Sequence, residues 1–192
     1  MSLVVNTKYI AKSFGDYALE VCSKTKYFNG LNLLSVCNET HNTQKKLKKM
    51  NSHIKGNKFM KQTIADFNYL SDKKLIDYEY LNNLCNKNDG PVFGPSIFSK
   101  ETSINDILSL SGDIKFKYMI RKVESGYNNI SSLDVNPMSA VGIAMWMSPD
   151  FGSKVKDIFL RFIEGDATLI KESVENLNAI TVHFLPTKST VR

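Results

Sequence analysis

Cysteine is scarce: three residues, Cys22, Cys37 and Cys85, at irregular spacings. An odd, unpatterned set argues against a disulfide framework and for reduced thiols in an intracellular setting. No apolar run reaches the roughly 18 residues of a membrane helix, so no span is expected. The opening MSLVVNTKYIAKSFGDY lacks a basic segment followed by a long apolar stretch, which speaks against a secretory signal. The three histidines, His41, His53 and His183, lie far apart. There is no glycine-rich phosphate loop, no G-x-S-x-G elbow and no HExxH. The acidic pairs Asp77/Glu79 and Glu172/Glu175 fall in expected surface helices. Catalysis, a cofactor and a small-molecule substrate are therefore not expected. Cys37-x₃-His41, with Cys22 nearby, lacks the paired ligands of a structural zinc site, so no metal is expected either.

One absence points somewhere. Between Thr40 and Ala65 there is no acidic residue, but there are seven lysines: Lys45, Lys46, Lys48, Lys49, Lys55, Lys58 and Lys61. Phosphate neutralisation needs several cations on one face with no carboxylate among them. The plain alternative is a solvated helix face in a lysine-rich protein. A second basic group, Lys115, Lys117, Arg121 and Lys122, lies on a stretch that reads as a strand. Alternation would place part of it on one exposed face. Asn51, His53 and Asn57 carry groups that could reach base edges.

What is present supports a folded chain. Of 192 residues, 42% are apolar and 23% charged, with a formal net charge of +6. That suits one domain or two small ones with a real core. Residues 17–21 alternate as a strand, Tyr27-Phe28 resumes it, and a helix is expected near Leu31–Val36. Leu47, Met50 and Ile54 recur at helical spacing, and Phe59, Ile64 and Phe67 continue the thread beyond Gly56-Asn57. Two short helices around a turn are predicted, lysines outward. Residues 86–96 read as a loop. Ser103 should cap a short helix to Leu110. IKFKYMIRKV (114–123) reads as a strand, 124–126 as a turn and Tyr127–Ile130 as a second strand. Residues 138–147 form an apolar helix. Ser148 then caps another, with Pro149 at its first position, Asp150 in its first turn and Gly165 at its end. Leu169, Ile170, Val174 and Leu177 mark one more helix before a loose tail. Trp146, the single tryptophan, is expected in the core.

GDYALEVCSKTKYFNGLNLL (15–34) echoes GDIKFKYMIRKVESGYNNISSL (112–133). VFGPSI (92–97) echoes VNPMSA (135–140), and LSGDIKFK (110–117) echoes MSPDFGSK (147–154). The echoes overlap, but they suggest two related units.

IAMWMSPDFGSKV resembles the C-terminal signature of the KilA-N domain, a DNA-binding module of large DNA viruses and phages. Ile143, Ala144, Trp146, Ser148, Pro149, Asp150, Phe151, Lys154 and Val155 fit it. Met147 stands for an isoleucine and Asp150 for a glutamate. The family's Tyr-x-Asn step from strand to helix is met by Tyr127 and Asn129, with Gly126 and Leu133, and again by Tyr27, Asn29 and Leu33. The proline of its other conserved step is Pro137 or Pro95. The resemblance implies an α+β fold of small antiparallel hairpins packed with several helices, in winged-helix-like KilA-N units. It implies a first unit over 1–100 with the basic helices, and a second, compressed unit over 101–192 with C-terminal helices. It implies a viral, non-catalytic DNA-binding protein working inside an infected host cell. Double-stranded DNA would be held mainly through its phosphate backbone by the two basic groups. Members spread the two signatures further apart than this chain does. The competing expectation is therefore a structural, assembly or host-factor-binding protein without DNA contact. Helices over 138–163 and 167–178 would then offer a homo-oligomer face.

Overall fold

A computed structural model describes residues 9–14, 17–87, 98–124 and 130–163. The chain order is β1 (Tyr9–Phe14), β2 (Tyr17–Cys22), β3 (Phe28–Asn29), α1 (Gly30–Thr40), α2 (Leu47–Ile54) and α3 (Asn57–Asp72). Then come α4 (Tyr78–Lys87), α5 (Ile104–Leu108), α6 (Gly112–Met119), β4 (Ile120–Glu124), β5 (Ile130–Val135), α7 (Pro137–Met147) and α8 (Pro149–Ile163). The class is α+β.

The strands form one antiparallel sheet in the order β1-β2-β3-β5-β4. Its centre joins distant parts of the chain: Phe28 pairs with Val135 and Asn29 with Asp134. Residues from both sides of position 100 thus build one sheet. Two of the inner strands, β3 and β5, run straight into a helix through a capping asparagine. The Asn29 side chain accepts from the Leu31 and Asn32 amides at the start of α1. The Asn136 side chain accepts from the Met138 amide, with Pro137 in the first position of α7. These caps satisfy amides that the first turn would otherwise leave unpaired. The hairpins β2–β3 and β4–β5 therefore lie side by side in the sheet; α1 packs on β2 and β5, and α7 packs on α1 and α8. A strand–cap–helix step occurs twice, at Phe28-Asn29-Gly30 and at Val135-Asn136-Pro137, an alignment none of the sequence echoes contains.

Period-two alternation separates the two faces of the sheet. Phe28, Ile120, Leu133 and Val135 are buried on the helix side. Gly30 lets α1 start directly over β5, because a Cβ there would stand 2.5 Å from Leu133. Arg121, Asp134, Asn29 and Glu20 belong to the opposite face by register. The core continues under the sheet through Leu33, Cys37, Met50, Ile54, Phe67 and Ile143. The α7–α8 crossing is close: a Cβ on Gly152 would lie 2.6 Å from the Met145 Cα. Ser148 caps α8 by accepting from the Phe151 amide at 3.5 Å, and Phe151, Val155 and Ile158 are buried.

Most expected elements are present. The hairpin at 17–28, the first helix, the Ser103 cap and the last two described helices stand where the patterns put them. One expected strand is largely helix. Residues 112–119 are helix, and only 120–124 are strand. The alternation in IKFKYM resembles a strand, but Ser111 accepts from the Ile114 amide as an N-cap. Asp113 sits in the first turn and pairs with Lys117 at 2.7 Å, one turn on. Those local contacts decide for the helix. The helix after Gly56 is also long, not short, and α4 extends through Asn86 and Lys87 into the expected loop. The expected turn at 125–126, Tyr127, Asn129, Pro95, Gly165, the 167–178 helix and the tail lie outside the described residues. Among the described residues, no helix is long and apolar enough to cross a membrane.

Candidate nucleic-acid interface

The seven lysines of 44–61 are set by three pieces of local structure. First, Asn38 of α1 ties down the segment before α2. Its amide donates to the Lys45 carbonyl, and its Oδ1 accepts from the Lys45 amide, both at 3.0 Å. Thr43 adds a hydroxyl donation to the same oxygen at 2.7 Å. Second, α2 buries Met50, Asn51 and Ile54, which turns Lys48 and Lys49 outward. Third, α3 buries Phe59, Thr63 and Phe67, which leaves Lys58, Lys61 and Gln62 outward. Lys46 and Lys55, at the two ends of α2, are exposed as well.

Among the described residues, none of Lys46, Lys48, Lys49, Lys58 and Lys61 is in an ion pair. The next carboxylate along the chain, Asp66, is half-buried and accepts from the Gln62 amide at 2.9 Å. Burial pushes its pKa up, and the Gln62 hydrogen bond pulls it partly back. Neither α2 nor α3 carries an acid in its first turn or a side-chain cap. Their positive ends add to the lysine charge.

The second basic group is dispersed by the fold. Lys115 is buried, donates to the Leu108 carbonyl at 2.5 Å and lies over the Phe67 ring. Burial pushes its pKa down. Lys117 is exposed but spent on Asp113. The Arg121 guanidinium is clamped between two tyrosine rings, 4.1 Å from the centroid of Tyr27 and 3.3 Å from that of Tyr80. Its Nε and Nη2 are buried without a hydrogen-bond partner. Across the strand pair lies Asp134, which accepts from the Tyr9 hydroxyl. Burial raises the Asp134 pKa, while that hydrogen bond and Arg121 lower it. Only Lys122, on the other side of β4, joins the first group: its Nζ stands 3.5 Å from Asn51 Oδ1 on α2.

The base-edge candidates also separate. Asn51 is buried against Lys122, and Asn57 is exposed at the start of α3. His53 stacks on Trp146 at 4.6 Å between centroids and 11° between planes, with Phe59 at 5.0 Å. Lys45 Nζ lies over the same indole at 5.1 Å. Trp146 is therefore half-buried beneath the lysine face, not sealed in the core. This link across the chain leaves no local mark in the sequence. Cys37 faces the Thr43 hydroxyl at 3.6 Å, and His41 meets the Tyr17 hydroxyl at 3.0 Å. Each of these side chains thus has a neighbour within the fold. Large apolar side chains exposed among the described residues are Tyr69, Leu75, Val123, Met145 and Leu160, each on a different segment. α7 and α8 contribute one each among the described residues, Met145 and Leu160.

Comparison with protein-family models, curated proteins and solved structures finds no match.

Proposed function

We propose that this chain is a non-catalytic DNA-binding protein of the KilA-N type, from a large DNA virus. In this reading α2 and the first turns of α3 dock on the phosphate backbone of duplex DNA, and the β4–β5 hairpin stands beside them in a winged-helix-like arrangement. Lys45, Lys46, Lys48, Lys49, Lys55, Lys58 and Lys61 neutralise phosphates, with Lys122 at the margin. Lys115 and Arg121 belong to the packing of the protein, Lys117 is paired with Asp113, and all three drop out of the contact set. The observation that carries the reading is the set of outward lysines on α2 and the first turns of α3, within a stretch from Thr40 to Ala65 that holds no acidic residue. With phosphate contacts dominant and Asn51 buried, sequence readout is weak.

Fluorescence anisotropy with a labelled duplex at several salt concentrations tests this. Each phosphate contact should contribute about −0.9 to the slope of log affinity against log salt, giving roughly −4 or steeper overall. A flat salt response, or unchanged binding after Lys45, Lys46, Lys48 and Lys49 are replaced by alanine, would refute it.

A further inference from the structure

We propose that His53 is a proton-linked member of this lysine face: phosphate binding draws a proton onto its imidazole, and acid tightens the complex. The inference rests on the DNA-binding reading.

His53 sits on the lysine-bearing helix and packs against rings from two other helices. From α7 it meets the Trp146 ring, and from α3 the Phe59 ring. From the segment before α2, Lys45 lies over the same indole. From α2 itself, Lys49 stands one turn earlier, on the same side of the helix. The only charged groups among these neighbours are the two lysines. The imidazole Nε2 is buried and has no hydrogen-bond partner.

Protonating His53 without a ligand would set a second cation against an indole that Lys45 already faces. It would also leave an Nε2–H pointing at no acceptor, which costs free energy in a dry setting. Burial accordingly holds the imidazole pKa below its ordinary value. A phosphate at Lys45 and Lys49 changes both conditions. It attracts the Lys45 ammonium away from the indole, so the ring's π electrons no longer serve a second cation beside the stacked imidazolium. Its negative charge also favours the charged ring directly. His53 is thus more basic in the complex than in the free protein. Reciprocity then requires that protonated protein bind phosphate more tightly. Asp66 on α3 also has a raised pKa, and its protonation would remove a negative charge near the same face. A His53 variant separates the two.

The test measures duplex affinity at constant ionic strength from about pH 7.5 to about pH 5.5. Affinity should rise about threefold to tenfold, within the limit of one linked proton. Calorimetry in two buffers of different ionisation enthalpy should show proton uptake of up to one per complex. His53→Phe keeps a stacking ring against Trp146, so it should still bind DNA but with a flattened pH response. His53→Gln serves if the ring does not fit. The single tryptophan gives an independent signal: an imidazolium stacked on Trp146 quenches its emission, with a midpoint that moves up when duplex is present. Binding that does not change with pH, no proton uptake, or an unchanged pH response in His53→Phe overturns the inference and leaves DNA binding standing. No duplex binding at any pH overturns both. If neither variant folds, proton uptake by the native protein decides alone.

Discussion

Two basic groups read much alike along the chain, yet the fold treats them in opposite ways. On α2 and α3 the buried positions are taken by Met50, Ile54, Phe59 and Phe67, so the lysines are pushed outward. Around α6 and β4 the basic side chains themselves fill packing positions: Lys115 lies over Phe67, and Arg121 lies between Tyr27 and Tyr80. A basic run marks a binding face only when apolar residues at helical spacing occupy the interior. Where aromatic rings stand in for them, an arginine becomes part of the core. Guanidinium stacks on aromatic faces and is weakly hydrated, which suits it to that place.

The sharpest way to break this contrast is Arg121→Ala. It removes the plate between two tyrosine rings and leaves buried Asp134 without its nearby cation. The expected loss is about 3 kcal/mol of unfolding free energy, with the salt slope of DNA binding unchanged. Urea denaturation and anisotropy check the two halves. If Arg121→Ala instead weakens DNA binding with stability intact, the arginine belongs to the interface.

Alkali attacks the same cluster. Burial raises the hydroxyls of Tyr27, Tyr80 and Tyr118, the last to about 12 from an ordinary value near 10. The unfolded chain therefore loses these protons first. The contribution to stability is fully present below pH 10 and disappears as the pH rises towards 12. For Tyr118 alone it amounts to about 2–3 kcal/mol. Stability measured against pH should fall over that window, and less steeply in Tyr118→Phe. That variant also loses the hydroxyl accepting from the Asp77 amide, so the slope and not the absolute stability is the test.

Replacing Lys45, Lys46, Lys48 and Lys49 by alanine should do the reverse. Affinity for duplex should drop about tenfold to a hundredfold, and the salt slope should shrink by about 3 to 4. Stability should stay within about 1 kcal/mol, because three of the four side chains are exposed and only Lys45 touches a ring. If stability falls and affinity holds, the two groups have exchanged roles.

The sequence makes the first group legible because everything that positions it is local. The 3.6-residue period of Leu47, Met50 and Ile54 fixes the buried side of α2, and the lysines follow from it. The α+β class and the helix starts at Ser103 and Ser148 are local as well. The second group is illegible for physical reasons. In IKFKYMIRKV, alternation suggests a strand, whereas the Ser111 cap and the Asp113–Lys117 pair select a helix. The partners that consume its charges come from elsewhere: Tyr27 from the end of the first hairpin, Tyr80 from α4, Phe67 from α3. The stack of His53 on Trp146 is just as remote, since only the packing of α2 on α7 brings the rings together. The two strand–cap–helix steps of the structure are not the segments that echo one another in the sequence. Tyr27-x-Asn29 invites comparison with Tyr127-x-Asn129. The capping asparagine that matches Asn29 across the β3–β5 pair is Asn136.

Lys122 stands at the boundary of the comparison and gives its finest test. It belongs to the second group by sequence, but alternation along β4 turns it to the face opposite Arg121, towards α2. There its Nζ approaches Asn51 Oδ1. As a marginal phosphate contact it should contribute about one unit of salt slope, and Lys122→Ala should weaken duplex binding about threefold. Lys117→Ala should leave binding unchanged and cost at most about 0.5 kcal/mol of stability, because an exposed pair one turn apart contributes little. The two variants remove the same charge five positions apart. If they reduce affinity equally, binding reflects net charge alone. If only Lys122→Ala does, the docking surface runs from α2 onto β4, and the fold, not the composition, selects which lysines bind.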